Sequence, residues 1–271
     1  VVSQTKADNM FQITPSASAA KVIANDNCFQ VCFTDPNQGT ASADYIASKG
    51  LATKVAVIYN SSDAYSSGIY DNFKAEAAAK GLDLVASEAF TSDSKQDFSS
   101  QLSKIKASGA ELIFLPIYYQ EASLILSQAK NAGITAKFFG CDGLDGLLNI
   151  ENFDKSLAEN VMLLTPFAAN ATDETTKKFV AAYNAKYDPS TLNQFAADAY
   201  DAVYVVKAAA QKAGVTGDMS VSDICNALKG AMTEITVDGV TGSGMTWKAT
   251  GEVNKEPKAV KIENGEYQPM D

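Results

Sequence analysis

The chain has 271 residues, 46% of them apolar, and carries 22 basic against 32 acidic residues for a formal charge of −10. That much apolar side chain can bury the core of one large or two smaller α/β domains, whereas the acidic balance works against phosphate-backbone binding, which needs clustered cations. Histidine is absent and every basic residue is lysine, so a histidine triad, a histidine metal site and an arginine clamp on a carboxylate are excluded.

No apolar run approaches a membrane span, and the first ten residues, VVSQTKADNM, lack the basic start, long apolar stretch and cleavage site of a signal peptide. Residues 1–8 read as the end of a helix. Residues 10–14 read as a short strand stopped by Pro15, and SASAAKVIA as a helix whose first turn is rich in hydroxyls. On that reading Ser16 and Ser18 lie at a strand end and a helix N-terminus, where unpaired N–H groups and the helix dipole favour an anion. A serine that only caps the helix would show the same spacing.

Residues 28–33 read as another strand, ending in TDPNQG. Asp35-Pro36 signals a turn, and Asn37 opens a helix carrying Ala41, Tyr45 and Ile46. Asp35 is either a turn residue bonding its own backbone or a ligand group. The four cysteines are Cys28, Cys32, Cys141 and Cys225. Cys28 and Cys32 lie roughly 13 Å apart along a strand, too far to bridge, and without a CxxC pair or histidine a zinc site is not expected. All four are read as buried thiols.

Between residues 54 and 140 a short buried-strand pattern followed by a helix pattern occurs three times: KVAVIY then NSSDAYSSG, ELIFLP then IYYQE, and KFFG then CDGLDG. Ile69, Phe73 and Ala77 form the inner stripe of the first helix. LDLVASEAF adds a strand, Phe98, Leu102 and Ile105 mark a helix, and Ala122, Ile125 and Ala129 mark another, closed by Gly133. Alternation at these lengths predicts a parallel sheet covered on both faces. In such a sheet the carboxyl ends of the strands line the ligand crevice, so Tyr65, Tyr118 and Asp142 are expected to converge.

The tyrosines differ in what surrounds them. Tyr65 falls in a Ser-rich loop, where an exposed aromatic has no evident structural purpose. Tyr118 and Tyr119 directly follow a buried strand, so one faces a crevice while the other packs. Tyr70, Tyr183 and Tyr187 fall on helix faces and are read as core. Asp142 is either a helix cap or a functional group, and its place after the third strand favours function.

After the strand VMLLTPF the pattern turns helical over 173–187, 192–213 and 221–232, with AANATDE as the crossing into a second unit. The final stretch, with its glycine turns and alternating apolar residues, reads as short strands and hairpins. There is no GxSxG elbow, P-loop or GxGxxG after a strand. No enzyme and no cofactor are therefore expected.

ITPSASA, VCFTDPNQG, KVAVIYNSSDAYSSG, DFSSQLSKIKASGAELIFLPIYYQEA, KFFGCDG and GVTGSGMTW stand in an order and spacing that resemble the leucine/isoleucine/valine-binding family. These are extracellular solute-binding proteins of branched-chain amino-acid ABC transporters, with a type I periplasmic-binding fold. The resemblance covers nearly the whole chain. It implies an α/β fold of two Rossmann-like lobes with parallel sheets, joined by three crossing segments that close on an amino acid. The first lobe is expected from residues 1–36 and 168–244, the second from 37–167 and 245–271.

The resemblance also implies roles. Ser16 and Ser18 look like the segment that holds the ligand's carboxylate and ammonium, Asp142 like the acid that pairs with the ammonium, and Tyr65 and Tyr118 like the aromatics over the ligand's backbone end. Asp35 matches the family's acidic position at the first crossing, and Phe195 an aromatic near the side-chain pocket. An ABC permease is the implied membrane partner, and a lipid-anchored extracellular or periplasmic protein the implied setting.

The start of the chain corresponds to a helix well inside the family's first lobe. The resemblance therefore implies that opening strands, a signal and lipid-attachment region and further ligand contacts belong to a longer polypeptide. A lobe lacking them is expected to self-associate or to seek a companion fragment. The competing readings are a sensory ligand-binding domain on the same fold and, further off, a small-molecule enzyme.

Overall fold

A computed structural model describes residues 1–270, which form two compact units. The elements in chain order are α1 (Val2–Ala7), β1 (Gln12–Thr14), β2 (Cys28–Gln30), α2 (Asp35–Ser48), β3 (Lys54–Asn60), α3 (Ala64–Ala79), β4 (Asp83–Phe90), α4 (Ser99–Ser108), β5 (Leu112–Leu115) and α5 (Tyr119–Asn131). They continue with β6 (Lys137–Gly140), β7 (Met162–Thr165), α6 (Glu174–Asn184), α7 (Gln194–Ala213), α8 (Val221–Met232), β8 (Lys258–Glu263) and β9 (Glu266–Pro269).

The second unit comprises, among the described residues, 35–170, 188–191 and 257–270. Its sheet runs in the order β4-β3-β5-β6-β7-β8-β9. The first five strands are parallel, and β8 and β9 add on antiparallel through a hairpin. Asn264 and Gly265 turn that hairpin, both with positive φ (53° and 77°), the pairing that suits the right-handed twist of the flanking strands.

Alternation along the central strands feeds two apolar layers. Val55, Val57, Leu112 and Phe114 pack with Ala43 and Ile46 of α2 and with Ile69, Phe73 and Ala77 of α3. Ala56, Ile58, Ile113 and Leu115 pack on the other face with Leu102 and Ile105 of α4 and with Ala122, Ile125 and Ala129 of α5. The helix after β3 and the helix after β5 therefore leave adjacent strands toward opposite faces, and the strand order reverses between them. In doubly wound sheets that reversal opens a crevice at the strands' carboxyl ends.

Three local expectations for this unit change. Helix α2 begins at Asp35 rather than Asn37, with Pro36 in its first turn, where the missing N–H is no loss. Tyr65 is not in a loop: Asp63 caps α3 by accepting from the Ser66 N–H, which places Tyr65 in the first helical turn, where it is buried. The third strand is followed by no α-helix, only by 3-10 turns at Asp142–Leu144 and Leu147–Asn149, separated by Gly146 at φ 106°.

The first unit comprises residues 1–34, 171–187 and 192–256. Strands β1 and β2 pair in parallel. Phe29 packs with Val205 and Ala209 of α7, Leu228 and Met232 of α8, and Met245 and Trp247 beyond them. Helix α7 is capped by Asn193 and stopped by Gly214 at φ 65°, and Ser220 caps α8. The four cysteines are free and buried.

Residues 245–256, expected in the second lobe, belong to this unit. Met245 pairs antiparallel with Val237, the Trp247 indole N–H donates to the Gln30 carbonyl at 2.8 Å, and Lys255 is buried against Asp198. Residues 35–36, 168–170 and 188–191 group instead with the second unit. SASAAKVIA is not an α-helix: Thr14 Oγ1 takes the Ala17 N–H, Ala19 is extended (ψ 134°), and only a 3-10 turn forms at Ala20–Ile23. Tyr187 lies beyond the end of α6 and is 61% exposed, and Tyr183 is half-buried; their rings meet at 5.0 Å, tilted by 46°, and neither is a fully buried core residue. Tyr70 is buried and stacks on Tyr59 with ring centroids 3.9 Å apart.

Among the described residues no helix is long and apolar enough to cross a membrane, and no group of three or more His, Cys, Asp or Glu side chains is arranged to hold a metal ion.

Candidate functional site

In the second unit the sheet reversal brings Tyr65, Tyr118 and Asp142 together. Tyr65 follows β3, Tyr118 follows β5, and Asp142 follows β6, so three successive strand ends supply them. The Tyr65 hydroxyl donates to Asp142 Oδ1 at 2.7 Å and accepts from the Gly143 N–H at 2.9 Å. Gly143 has to be glycine here, because a Cβ would stand 2.6 Å from that hydroxyl and 2.8 Å from the Ile117 carbonyl. The rings of Tyr65 and Tyr118 stack at 4.8 Å.

The two tyrosines are not equivalent. Tyr65 is buried, whereas Tyr118, in extended conformation at the head of α5, remains 41% exposed. Tyr119, its neighbour, turns into the core and lies against Gly146. One of the pair thus faces out while the other packs, as the chain order requires.

Carboxylates dominate this end of the sheet. Asp142 is 5% exposed and Asp35, at the start of α2, 2%. Burial pushes the Tyr65 hydroxyl well above the usual tyrosine range, and the adjacent Asp142 adds to the shift. The Tyr118 hydroxyl is raised by burial first and then by the negative charge of Asp63, Asp142, Asp35 and Glu121. Glu121 is itself tied to Lys95 at 3.1 Å. A half-site so built favours a cation and offers it an aromatic face. Cys141, beside Asp142, is a neutral thiol, raised by burial and touched by Ser42 Oγ at 3.6 Å.

Asp35 approaches this cluster from α2, its Cβ 3.4 Å from where a side chain on Gly68 would begin. Gln38, one helical turn later, accepts the Asp142 N–H on Oε1 at 3.3 Å. Gln38 lies inside the VCFTDPNQG motif, but nothing in that motif singles it out from its neighbours. The signal was the three-residue spacing from Asp35, which becomes informative only once the helix is known to start at Asp35.

Ser16, Ser18 and Phe195 belong to the first unit. Ser18 is buried, Ser16 half-buried, and both lie in the irregular stretch after β1, so no helix dipole acts on them; they offer hydroxyls and N–H groups alone. Phe195 is half-buried in the first turn of α7.

Comparison with known proteins gives this arrangement a family. Residues 1–266 match the family described as periplasmic binding protein. A Leu/Ile/Val-binding protein homolog from Brucella melitensis is 33% identical over 221 residues, 80% of this chain and 58% of its own length. The leucine binding protein LivK of Thermotoga maritima superposes with a TM-score of 0.86 at 25% identity, over 100% of this chain and 75% of that one. LivJ of Streptococcus pneumoniae, a branched-chain amino acid transporter substrate binding protein solved in complex with isoleucine, gives 0.84 at 28% identity, over 98% and 73%. The chain spans 58% of the length of the first curated relatives it matches. The chain belongs to the periplasmic-binding-protein family, among the Leu/Ile/Val-binding solute-binding proteins of ABC transporters and with their type I fold.

Proposed function

We propose that the protein captures an amino acid with an aliphatic, branched side chain outside the cytoplasmic membrane and delivers it to an ABC permease, performing no chemistry on it. The observation that carries the proposal is the oriented carboxylate of Asp142, buried at a strand end and aimed by the hydroxyl of Tyr65, whose ring stacks on Tyr118. A zwitterion entering a site without arginine or histidine must place its ammonium on a carboxylate and its carboxylate on hydroxyls and N–H groups. Asp142 meets the first need in the second unit, and Ser16 and Ser18 carry the donors for the second in the first unit.

Asp35 adds negative charge beside the ammonium partner, and Phe195 supplies apolar surface for the side chain. A relative named for leucine, isoleucine and valine, another named for these and for threonine and alanine, and a branched-chain amino acid substrate binding protein solved with isoleucine support the ligand class. Anchoring as a lipoprotein belongs to the same proposal.

The test is a ligand-dependent thermal shift of this chain against the twenty amino acids. A ligand at a hundred times its dissociation constant adds roughly 2.7 kcal/mol to the folded state. The expected result is a raised Tm with leucine, isoleucine or valine, abolished by Asp142→Ala. Shifts with none of the twenty, repeated on a chain of the relatives' full length, would refute the reading.

A further inference from the structure

Helix α2 is the first element after the chain passes from the first unit to the second, a boundary that falls between Thr34 and Asp35. One of its faces carries Asp35, Gln38 and Ser42, at helical spacings i, i+3 and i+7, and all three are buried. Two of them meet the turn that begins the Asp142 segment. Gln38 Oε1 accepts from the Asp142 N–H at 3.3 Å, and Ser42 Oγ lies 3.6 Å from Cys141 Sγ.

The chemistry of Gln38 is more specific than packing requires. The Asp142 N–H is a donor, so the amide must turn its oxygen toward it, and that fixes where the NH2 group points. There Nε2 is buried and makes no hydrogen bond to the protein. A methionine or leucine would fill the same volume without leaving a donor unsatisfied, and an unsatisfied donor carries a desolvation penalty. What the amide supplies that they cannot is the acceptor for Asp142.

We infer that Gln38 is the positioning residue for Asp142, holding the backbone of the 141–143 turn from α2 while Tyr65 holds the carboxylate. The inference rests on the reading of Asp142 as the partner of a ligand's ammonium. Together Gln38 and Tyr65 fix the turn at three points: the Asp142 N–H, the Asp142 carboxylate and the Gly143 N–H. With all three in place the carboxylate is oriented before a ligand arrives, so less ordering remains to be done on binding. Gln38 also links Asp142 to the helix that starts at the unit boundary.

The test uses Gln38→Met, which keeps the volume and removes the acceptor, beside Ser42→Ala, which removes only the contact to the Cys141 sulfur. Two quantities are read on the whole chain: hydrogen exchange of the Asp142 amide without ligand, and the dissociation constant for isoleucine by calorimetry. In Gln38→Met the Asp142 amide should exchange roughly tenfold faster, with the Phe114 amide in the core unchanged, and isoleucine should bind about five- to twentyfold more weakly. Ser42→Ala should move neither quantity more than about twofold.

Unchanged Asp142 exchange in Gln38→Met overturns the inference. So does faster exchange with unchanged affinity, because Gln38 would then be structural only, and so does an equal effect of Ser42→Ala. If the wild-type chain binds no isoleucine while exchange still accelerates in Gln38→Met, the reading of Asp142 fails; the role of Gln38 in binding falls with it and only the turn anchoring stands.

Discussion

The Tyr65 hydroxyl serves two neighbours at once, donating to Asp142 Oδ1 at 2.7 Å and accepting from the Gly143 N–H at 2.9 Å. Tyr65→Phe keeps the ring stacked on Tyr118 and removes both hydrogen bonds. It should lower the stability of the second unit by about 1–3 kcal/mol, the cost of losing buried hydrogen bonds of which one serves a charged group. Amide exchange in β3 and β5 reads this directly; protection equal to wild type would refute it. Amino-acid affinity should fall as well, since Asp142 loses its orientation.

In the first unit Lys255 Nζ lies 3.1 Å from Asp198 Oδ1 and donates to Thr241 Oγ1 at 2.6 Å, and Thr241 in turn donates to Asp201. Burial pushes the Asp198 carboxyl up to about 6 despite the opposing charge of Lys255. The folded chain therefore holds a proton here that the unfolded chain has already released above pH 4. Stability from this group is full below about pH 4 and is lost as pH rises through about 6. The stability at stake is on the order of 3 kcal/mol. Asp198→Asn should flatten the pH dependence in that window, followed by the fluorescence of Trp247, the chain's one tryptophan and a member of the same unit. Lys255→Met, which leaves a buried carboxylate without its cation, should destabilise the unit by about 3–5 kcal/mol at pH 8.

Two glycine-to-alanine changes should act in opposite directions. At Gly39 of α2 a Cβ would stand 2.4 Å from the Ile69 carbonyl and 2.8 Å from the Phe73 N–H. Both are backbone atoms of α3 that cannot swing aside, so Gly39→Ala should destabilise by about 1–3 kcal/mol. Gly230, inside α8, has open space where a Cβ would go. Gly230→Ala should stabilise by about 0.5–1 kcal/mol. Urea unfolding of the two variants, with circular dichroism for the first and Trp247 fluorescence for the second, measures both; a shared sign would contradict the packing described.

Asp26 bridges Lys6 of α1 and Lys229 of α8 at 2.6 and 2.7 Å, and these hydrogen bonds, Lys229 first, hold its carboxyl near 2. Its contribution is present above about pH 4 and lost as pH falls through about 2. The site is largely open to solvent, so Asp26→Asn should cost less than about 1 kcal/mol. The difference from wild type should shrink between low salt and 1 M NaCl, where exposed charges are screened.

The strands and helices of the second unit were legible because each element there carries its own period. Ile69, Phe73 and Ala77 mark α3 as plainly as Val55 and Val57 mark β3, and all of them are buried as the pattern requires. The convergence of Tyr65, Tyr118 and Asp142 was legible for the same reason, since parallel strands deliver their ends to one edge. Helix boundaries were less so. Ser16 to Ala19 carry helix-compatible side chains, yet Thr14 takes the Ala17 N–H and the backbone stays irregular, a tertiary outcome that composition does not display. Tyr187 sits at helical spacing from Tyr183, but α6 stops at Asn184. The placement of 245–256 was misread because nothing in that stretch announces that Trp247 will donate to Gln30, more than two hundred residues earlier.

The reversal of strand order between β3 and β5 separates two kinds of position by how far a substitution would reach. Tyr118 is 41% exposed and belongs to neither apolar layer, so truncating it removes one face of a ring stack and leaves both layers filled. Tyr65 is packed into one layer and Asp142 is hydrogen-bonded to it, so a change at either is felt through the sheet.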